Sequence, residues 1–332
     1  MFTAESAKEI LGSDFEQYRQ TLSLAIHSDE PYLEAINRYV LGRRGKEIRP
    51  VLSLLAGRCC GSLTPASYYC AAASEMLHTA TLMHDDVADA ASMRRGALSV
   101  AAMFSPAAAV LTGDFWLSRS LHLLTAHCSP AIIDCFAESV RRMSEGELLQ
   151  MDKADKLDTT EKDYYRIIYG KTAALFVASV KSAAMAVEAG EKTTKALVDY
   201  AENLGLAFQI RDDIFDYSPD LKTGKTSGAD IKERKITLPL IGALANAPQK
   251  APYIISRIGK IESVFAEKIS EAEKEIIAEV TAFTRENGGI EYAQKRLEEH
   301  IEKAKKALDA IPDSADREML TGFAEYVGRR LT

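Results

Sequence analysis

Apolar positions recur along this chain at three- and four-residue intervals, and no runs of strictly alternating apolar and polar residues stand out. That spacing predicts helices rather than strands. Residues about 5–41 show the pattern first, as one or two amphipathic helices suited to packing or association. A basic loop, Arg43-Arg44-Gly45-Lys46-Glu47-Ile48-Arg49-Pro50, precedes a long apolar helix from Val51 to Cys60. Next come a helix over 67–89, a buried one over 106–125, and another over 131–152 that ends in Gly146-Glu147-Leu148-Leu149-Gln150. A polar stretch with Asp158 and Thr159 leads into a helix passing Tyr169-Gly170-Lys171-Thr172, where Lys171 is a lone cation in an apolar run. Prolines fall at the joints, among them Pro31, Pro65, Pro106, Pro130 and Pro252. Neither a short repeat nor a low-complexity linker interrupts the pattern. The expectation is an all-α fold, one large helical domain over residues 1–332.

Two of these helices end alike. The first closes on His84-Asp85-Asp86-Val87-Ala88-Asp89, the second on Gln209-Ile210-Arg211-Asp212-Asp213-Ile214-Phe215-Asp216. In each, the first and last aspartates stand four apart and share a helix face, with Cβ atoms roughly 5–6 Å from one another. Like charges so placed call for a cation, and Mg²⁺ binds through one or two carboxylates completed by water and substrate phosphates. Basic residues trail each motif: Arg94-Arg95-Gly96 after the first, and Lys222, Lys225, Lys232, Arg234 and Lys235 after the second. Arginine forks match phosphate oxygens. One such helix end is readily a solvated surface feature; two, facing each other, would cage several Mg²⁺ ions and a diphosphate.

Composition narrows the classes. The net charge of −7 and the lack of a compensating basic block argue against nucleic acid as a partner. No apolar run reaches the roughly 18 residues that span a bilayer. The start of the chain has neither the basic and apolar regions of a secretory leader nor the basic character of an organelle transit peptide. Five cysteines (Cys59, Cys60, Cys70, Cys128, Cys135) without CxxC spacing read as small buried hydrophobes in a reducing cytoplasm.

On these motifs the sequence resembles the trans-isoprenyl diphosphate synthases, the polyprenyl synthetases, over essentially its whole length, and most closely the long-chain, octaprenyl type. The matching blocks are Gly45-Lys46 with Arg49-Pro50, Glu75 to Asp89, Arg94-Arg95-Gly96, Lys171-Thr172, Phe208-Gln209, Asp212 to Asp216, Gly224-Lys225 to Asp230, and Lys235 with Thr237 to Leu240. The resemblance implies an isoprenoid-synthase helical bundle with a central cavity. It implies about three Mg²⁺ ions, held by Asp85, Asp89 and Asp212, with Asp86, Asp213 and Asp216 supporting that cluster. Arg94, Lys171, Gln209 and Lys235 would hold an allylic diphosphate, with Lys225 close by. Lys46, Arg49, His78 and Arg95 would bind isopentenyl diphosphate, and Thr172 and Gln209 would make polar contacts near the reacting carbons. Neutralising the leaving diphosphate lets the allylic substrate ionise, and the cation then meets the neighbouring double bond. The resemblance also implies a homodimer, and a long product, insoluble in water, would bring transient membrane contact at release.

Several positions depart from the family pattern. Glu47 stands where a basic residue is usual, an exchange expected to weaken isopentenyl diphosphate binding. Arg44, Leu98, Ser99, Arg211 and Arg234 also differ from the common residues, and no metal ligand is lost. Ser74, Leu77 and Ala80 form one ridge leading away from Asp85. Ala80 and Thr81 occupy places where short-chain synthases tend to carry an aromatic stopper, so a product longer than geranylgeranyl is expected. Phe115, Trp116, Met143 or Met151 could close the tunnel lower down. The alternatives are a short-chain synthase, a terpene cyclase, and a non-catalytic partner subunit. The complete second aspartate motif speaks against the latter two.

Overall fold

The computed structural model describes residues 3–217, 228–262 and 269–329. Among these the chain order is α1 (Ala4–Leu11), α2 (Ser13–Ala25), α3 (Pro31–Leu41), α4 (Ile48–Cys60), α5 (Pro65–Ala88), β1 (Met93–Arg94), β2 (Ala97–Leu98), α6 (Val100–Met103), α7 (Pro106–His127) and α8 (Pro130–Lys156). There follow α9 (Glu161–Ile168), a π-helical turn (Tyr169–Ala173), α10 (Ala174–Ala186), α11 (Glu191–Asp216), α12 (Ala229–Lys232), α13 (Leu238–Asn246) and α14 (Ala251–Ile258). The last elements are α15 (Glu271–Glu286), α16 (Gly289–Ala307), a 3₁₀ turn (Leu308–Ala310) and α17 (Ala315–Arg329). The all-α expectation holds, with one exception. Met93 pairs with Leu98 and Arg94 with Ala97 in a short antiparallel hairpin. Its two-residue turn, Arg95-Gly96, has φ of +52° and +76°, the left-handed pair that suits the twist of a tight hairpin.

The N-terminal segment makes three helices, not one or two. Gly12, at φ +51°, ends α1 and opens α2, a conformation that glycine adopts without a Cβ penalty. Pro31 then starts α3 at a position where its missing N–H is harmless.

Contacts group the chain into two compact units, the first comprising 1–140, 175–199 and 307–323, the second 141–174, 200–306 and 324–332. The first is built around α5. Pro65 sits in its opening turn, and the Ser67 hydroxyl accepts the Thr64 N–H at 3.1 Å, closing its N-terminus. Cys70, Ala71, Ala72, Ala73, Met76, Leu77 and Ala80 are buried, and the helix packs most extensively on α7, then on α4 and α2. Only one face of α7 is buried, through Ala109, Thr112, Gly113, Trp116, Ser120 and Leu124. The sequence suggested burial all round, but Leu111 is 68% exposed and Val110 and Leu121 are exposed as well. Trp116 is fixed by its indole N–H, which donates to Asn37 Oδ1 at 2.8 Å.

The second unit has its own core, in which Tyr217, Ile231, Ile236, Leu240, Ile254, Ile276, Val280 and Phe283 pack together. Helices α13 and α14 both lie on α15 there. The five cysteines are free thiols; Cys70 alone is fully buried, and the other four are partly exposed. Among the described residues no helix is long and apolar enough to cross a membrane.

Candidate active site

In the first unit, α5 carries a polar stripe opposite its packed ridge. Glu75, His78, Asp85, Asp86 and Asp89 fall on one side of the helix by their spacing. The three aspartates are not equivalent. Asp86 is buried, and its Oδ1 accepts from Arg94 Nε at 2.7 Å and from the same guanidinium's Nη2. Asp85 is half-buried and Asp89, the C-cap of α5, is exposed. The stripe thus offers Asp85 and Asp89 to solvent at one helix end, while Asp86 anchors the hairpin.

The hairpin also sets Arg95. Its Nη1 donates to the Arg43 carbonyl at 3.3 Å. A Cβ on Gly45 would stand 2.6 Å from the Arg95 Cζ, so the guanidinium rests directly on the backbone of the basic loop. Arg49, in the first turn of α4, lies over the Phe176 ring at 4.9 Å. Burial pushes its guanidinium down to about 10, opposed by the Glu75 charge. Burial likewise raises the Glu75 carboxyl to about 7, against the pull of Arg95 and Arg49. His78 is held well below its ordinary value by burial and then by Arg49, Arg95 and Arg94. So Arg49 and Arg95 both act on the buried Glu75 carboxyl and, with Arg94, on His78, while Lys46 is exposed on the adjoining loop. A cleft opens beside Arg94 and Arg95, lined also by Thr79, Leu82, Met83 and Asp86. Such a cluster suits a multiply charged oxyanion.

Glu47 does not join this cluster of cations. Its carboxylate is buried against Tyr18 and Arg19 of α2, which accounts for an acidic residue inside a basic block. Of the ridge residues, Ser74, Leu77 and Ala80 are buried, and Thr81 is half-buried with its hydroxyl on the His78 carbonyl at 2.9 Å. The ridge meets α7 closely, since a Cβ on Gly113 would lie 3.2 Å from the Ala80 carbonyl oxygen and 2.3 Å from His84 Nε2. Trp116 and Met143 are buried, Phe115 is half-buried, and Met151 is 60% exposed.

In the second unit, the end of α11 carries Gln209, Asp212, Asp213 and Asp216. Asp213 is buried, accepting from Tyr164 Oη at 2.6 Å and from Gln209 Nε2 at 2.9 Å. Gln209 Oε1 in turn accepts from the Thr172 hydroxyl at 2.6 Å. This chain of bonds fixes which way the Gln209 amide points. Burial is the main reason the Asp213 carboxyl is pushed up to about 7, and the bonds from Tyr164 and Gln209 pull it back. Asp212 is half-exposed and accepts from Arg211 Nη2 at 3.2 Å. Arg211 is itself buried, with its guanidinium 4.4 Å from the Phe208 ring centroid. Asp216 does something else: its two oxygens accept the Ala229 and Asp230 N–H groups at 3.0 and 2.9 Å, so it caps α12.

Lys171 projects from the π-helical turn and pairs with Glu147 of α8 at 2.8 Å, so it is not a lone cation. The wide turn is seen in the Ala174 N–H, which reaches back five residues to the Tyr169 carbonyl, a distortion common at functional sites. It is accommodated by glycines. A Cβ on Gly170 would be 2.5 Å from the Arg142 carbonyl oxygen, and one on Gly205 2.6 Å from the Ala173 Cα. Lys235 pairs with Glu233, and its N–H donates to the Asp230 carbonyl at 2.8 Å. A cleft is lined by Gln150, Tyr164, Lys171, Gln209, Asp213 and Lys235. Lys222, Gly224 and Lys225 lie outside the described residues.

Sequence reasoning did not single out Tyr164 or Glu147. Tyr164 stands seven residues before Lys171, close to the same side of a helix, which was the available signal. Hard oxygen donors paired at a helix end, with a half-exposed carboxylate on Asp212, fit Mg²⁺. Among the described residues no three acidic, histidine or cysteine groups converge to hold a metal; Mg²⁺ sites commonly also draw on substrate phosphates and water.

The polyprenyl synthetase family model matches residues 30–276. Octaprenyl diphosphate synthase of Haemophilus influenzae is 35% identical over 328 residues, 98% of this chain and 96% of that one. The crystal structure of a decaprenyl diphosphate synthase from Rhodobacter capsulatus superposes with a TM-score of 0.91 at 32% identity, covering 99% of this chain and all of the other. A Caulobacter crescentus polyprenyl synthase, solved with calcium and isoprenyl diphosphate, gives 0.87 at 31% identity over 99% and 98% of the two chains. Aspartate-tipped helices, arginine clusters and full-length likeness agree: the chain belongs to the polyprenyl synthetase family of prenyltransferases.

Proposed function

We propose that this chain condenses an allylic diphosphate with isopentenyl diphosphate in successive head-to-tail trans additions, releasing diphosphate and giving a product longer than geranylgeranyl. The observation that carries this reading is likeness to long-chain synthases over 98% of the chain, with every aspartate of both motifs in place. Asp85, Asp89 and Asp212 would hold about three Mg²⁺ ions, which neutralise the leaving diphosphate when bound. Arg94, Lys171 and Lys235 add fixed positive charge to the allylic diphosphate, with Gln209 as a polar contact and Lys225 nearby. Lys46, Arg49, His78 and Arg95 orient isopentenyl diphosphate; Arg49 and Arg95, packed on an aromatic ring and on backbone, are preorganised for it. The Tyr164–Asp213–Gln209–Thr172 chain holds the polar groups near the reacting carbons. The small side chains of Ala80 and Thr81, near Ser74 and Leu77, leave no aromatic floor beneath the first motif.

In this reading both units act as a single polyprenyl synthase domain in a cytoplasmic homodimer, and the product meets a membrane transiently on release. The test is incubation of the purified protein with Mg²⁺, labelled isopentenyl diphosphate and geranyl, farnesyl or geranylgeranyl diphosphate, then sizing of the dephosphorylated products. A ladder passing geranylgeranyl supports the proposal. Products that stop at geranylgeranyl or below keep the synthase and refute the length, whereas a cyclised hydrocarbon refutes the reaction.

A further inference from the structure

Glu47 lies between Lys46 and Arg49 in the basic loop, and its environment is built for a carboxylate. Its side chain is 1% exposed. Oε1 accepts from Tyr18 Oη at 3.1 Å, Oε2 from Arg19 Nη2 at 2.8 Å, and Lys8 Nζ stands 3.5 Å from Oε2. Lys8 and Arg19 also flank the Phe15 ring, at 5.5 and 4.7 Å from its centroid. These partners come from α1 and α2, which are otherwise remote from the loop in sequence. Reaching them requires φ of +54° at Glu47, a left-handed conformation that a residue with a Cβ adopts only where its surroundings enforce it. The residue is also the N-cap of α4, yet its side chain makes no capping bond there. The carboxylate has been drawn away from the helix it precedes and into the N-terminal helices.

We propose that Glu47 is a positioning residue: the Lys8–Arg19–Tyr18 cage on α1 and α2 grips its carboxylate and thereby fixes the backbone from which Lys46 and Arg49 reach isopentenyl diphosphate. The inference rests on the reading of Lys46 and Arg49 as binders of that substrate. It gives the first two helices a part in substrate affinity, and it reverses the expectation from the family pattern. A basic residue at position 47 would enter a buried pocket already holding two cations, so it would disturb the loop instead of adding an anion contact.

Steady-state kinetics on the full-length enzyme tests this, varying each substrate separately. Glu47→Ala, Arg19→Ala and Glu47→Arg should each raise the KM for isopentenyl diphosphate about ten-fold, the effect of losing one charge-assisted bond. The allylic KM and kcat should stay within about two-fold of wild type. Glu47→Ala combined with Arg19→Ala should be no worse than either alone, because both break the same grip. The charge-exchanged pair Glu47→Arg with Arg19→Glu should recover part of the affinity lost in Glu47→Arg. Tyr18→Phe provides a milder probe, with a smaller rise, should the other variants fold poorly. A lower melting temperature with unchanged KM would overturn the proposal, as would both KM values rising together or Glu47→Arg binding isopentenyl diphosphate more tightly. Lys46→Ala and Arg49→Ala serve as controls. If neither raises the KM for isopentenyl diphosphate, the assignment of that site fails, whatever the Glu47 variants do.

Discussion

Replacing Glu75 by glutamine should flatten the way this protein's stability depends on pH. The carboxyl is buried on α5, and burial lifts it from 4.5 to about 7 against the pull of Arg95 and Arg49, with Glu47 adding to the lift. Unfolded, the same group ionises near its ordinary value. The folded-state pKa is therefore the higher one. The folded protein keeps a proton that the unfolded chain has lost, so this contribution to stability is complete below about pH 4.5 and disappears as pH rises through 7. A rise from 4.5 to about 7 corresponds to roughly 3 kcal/mol, at about 1.4 kcal/mol per tenfold change in the ionisation constant. Urea unfolding of wild type and Glu75→Gln at several pH values between about 5 and 8 reads it directly. Relative to the variant, the wild type should lose most of that amount across the window. Curves that stay parallel would falsify the reasoning. Binding supplies a second readout. A diphosphate arriving at Arg49 and Arg95 weakens their hold on the Glu75 carboxylate and adds negative charge beside it, so the group should take up a proton near pH 7.5. The heat of isopentenyl diphosphate binding should then depend on the buffer's ionisation enthalpy more in wild type than in Glu75→Gln.

Two further outcomes are expected from the packing and the second motif. Gly113→Ala puts a Cβ 2.3 Å from the Nε2 of His84, whose part-exposed ring can swing away, and 3.2 Å from a backbone oxygen that cannot, so it should cost about 1 kcal/mol or less and lower the thermal midpoint slightly. An unchanged midpoint would mean that α5 and α7 can separate there at no cost. Tyr164→Phe removes one of two donors to buried Asp213 and should destabilise by about 1–3 kcal/mol. It should also lower kcat more than it raises either KM, because the Asp213 carboxyl that orients the Gln209 amide is held less firmly. A variant with wild-type kcat and the same midpoint would dismiss the bond as incidental.

Much of this arrangement was readable from the residues, for physical reasons. The aspartate-tipped helices were visible because a helix face imposes a fixed spacing, and α5 and α11 carry that spacing locally. The burial of Glu47 was not readable because its partners, Lys8, Tyr18 and Arg19, lie 28 or more residues upstream, and nothing local distinguishes a buried carboxylate from an exposed one. The hairpin after α5 escaped notice because two-residue strands leave no periodicity. Lys171 looked solitary because Glu147 belongs to a different helix. Even within one motif the roles diverge. Asp212 is half-exposed, Asp213 is buried under a tyrosine, and Asp216 caps a downstream helix, although the sequence presents them as three equal carboxylates.

Where the π-helical turn meets its neighbours, contact is between main chains: Gly170 against the Arg142 carbonyl and Gly146, Gly205 against Ala173. Most helix contacts are made by side chains, and a change on one side can be answered by a complementary change on the other. Here, the Ala173 Cβ apart, neither side has anything to trim. The segment presenting Lys171 and Thr172 is consequently pinned by backbone contacts with α8 and α11. Attempts to evolve this enzyme should find Gly170 and Gly205 closed to every substitution and Gly146 nearly so, however distant from the substrate the exchanged side chain would be.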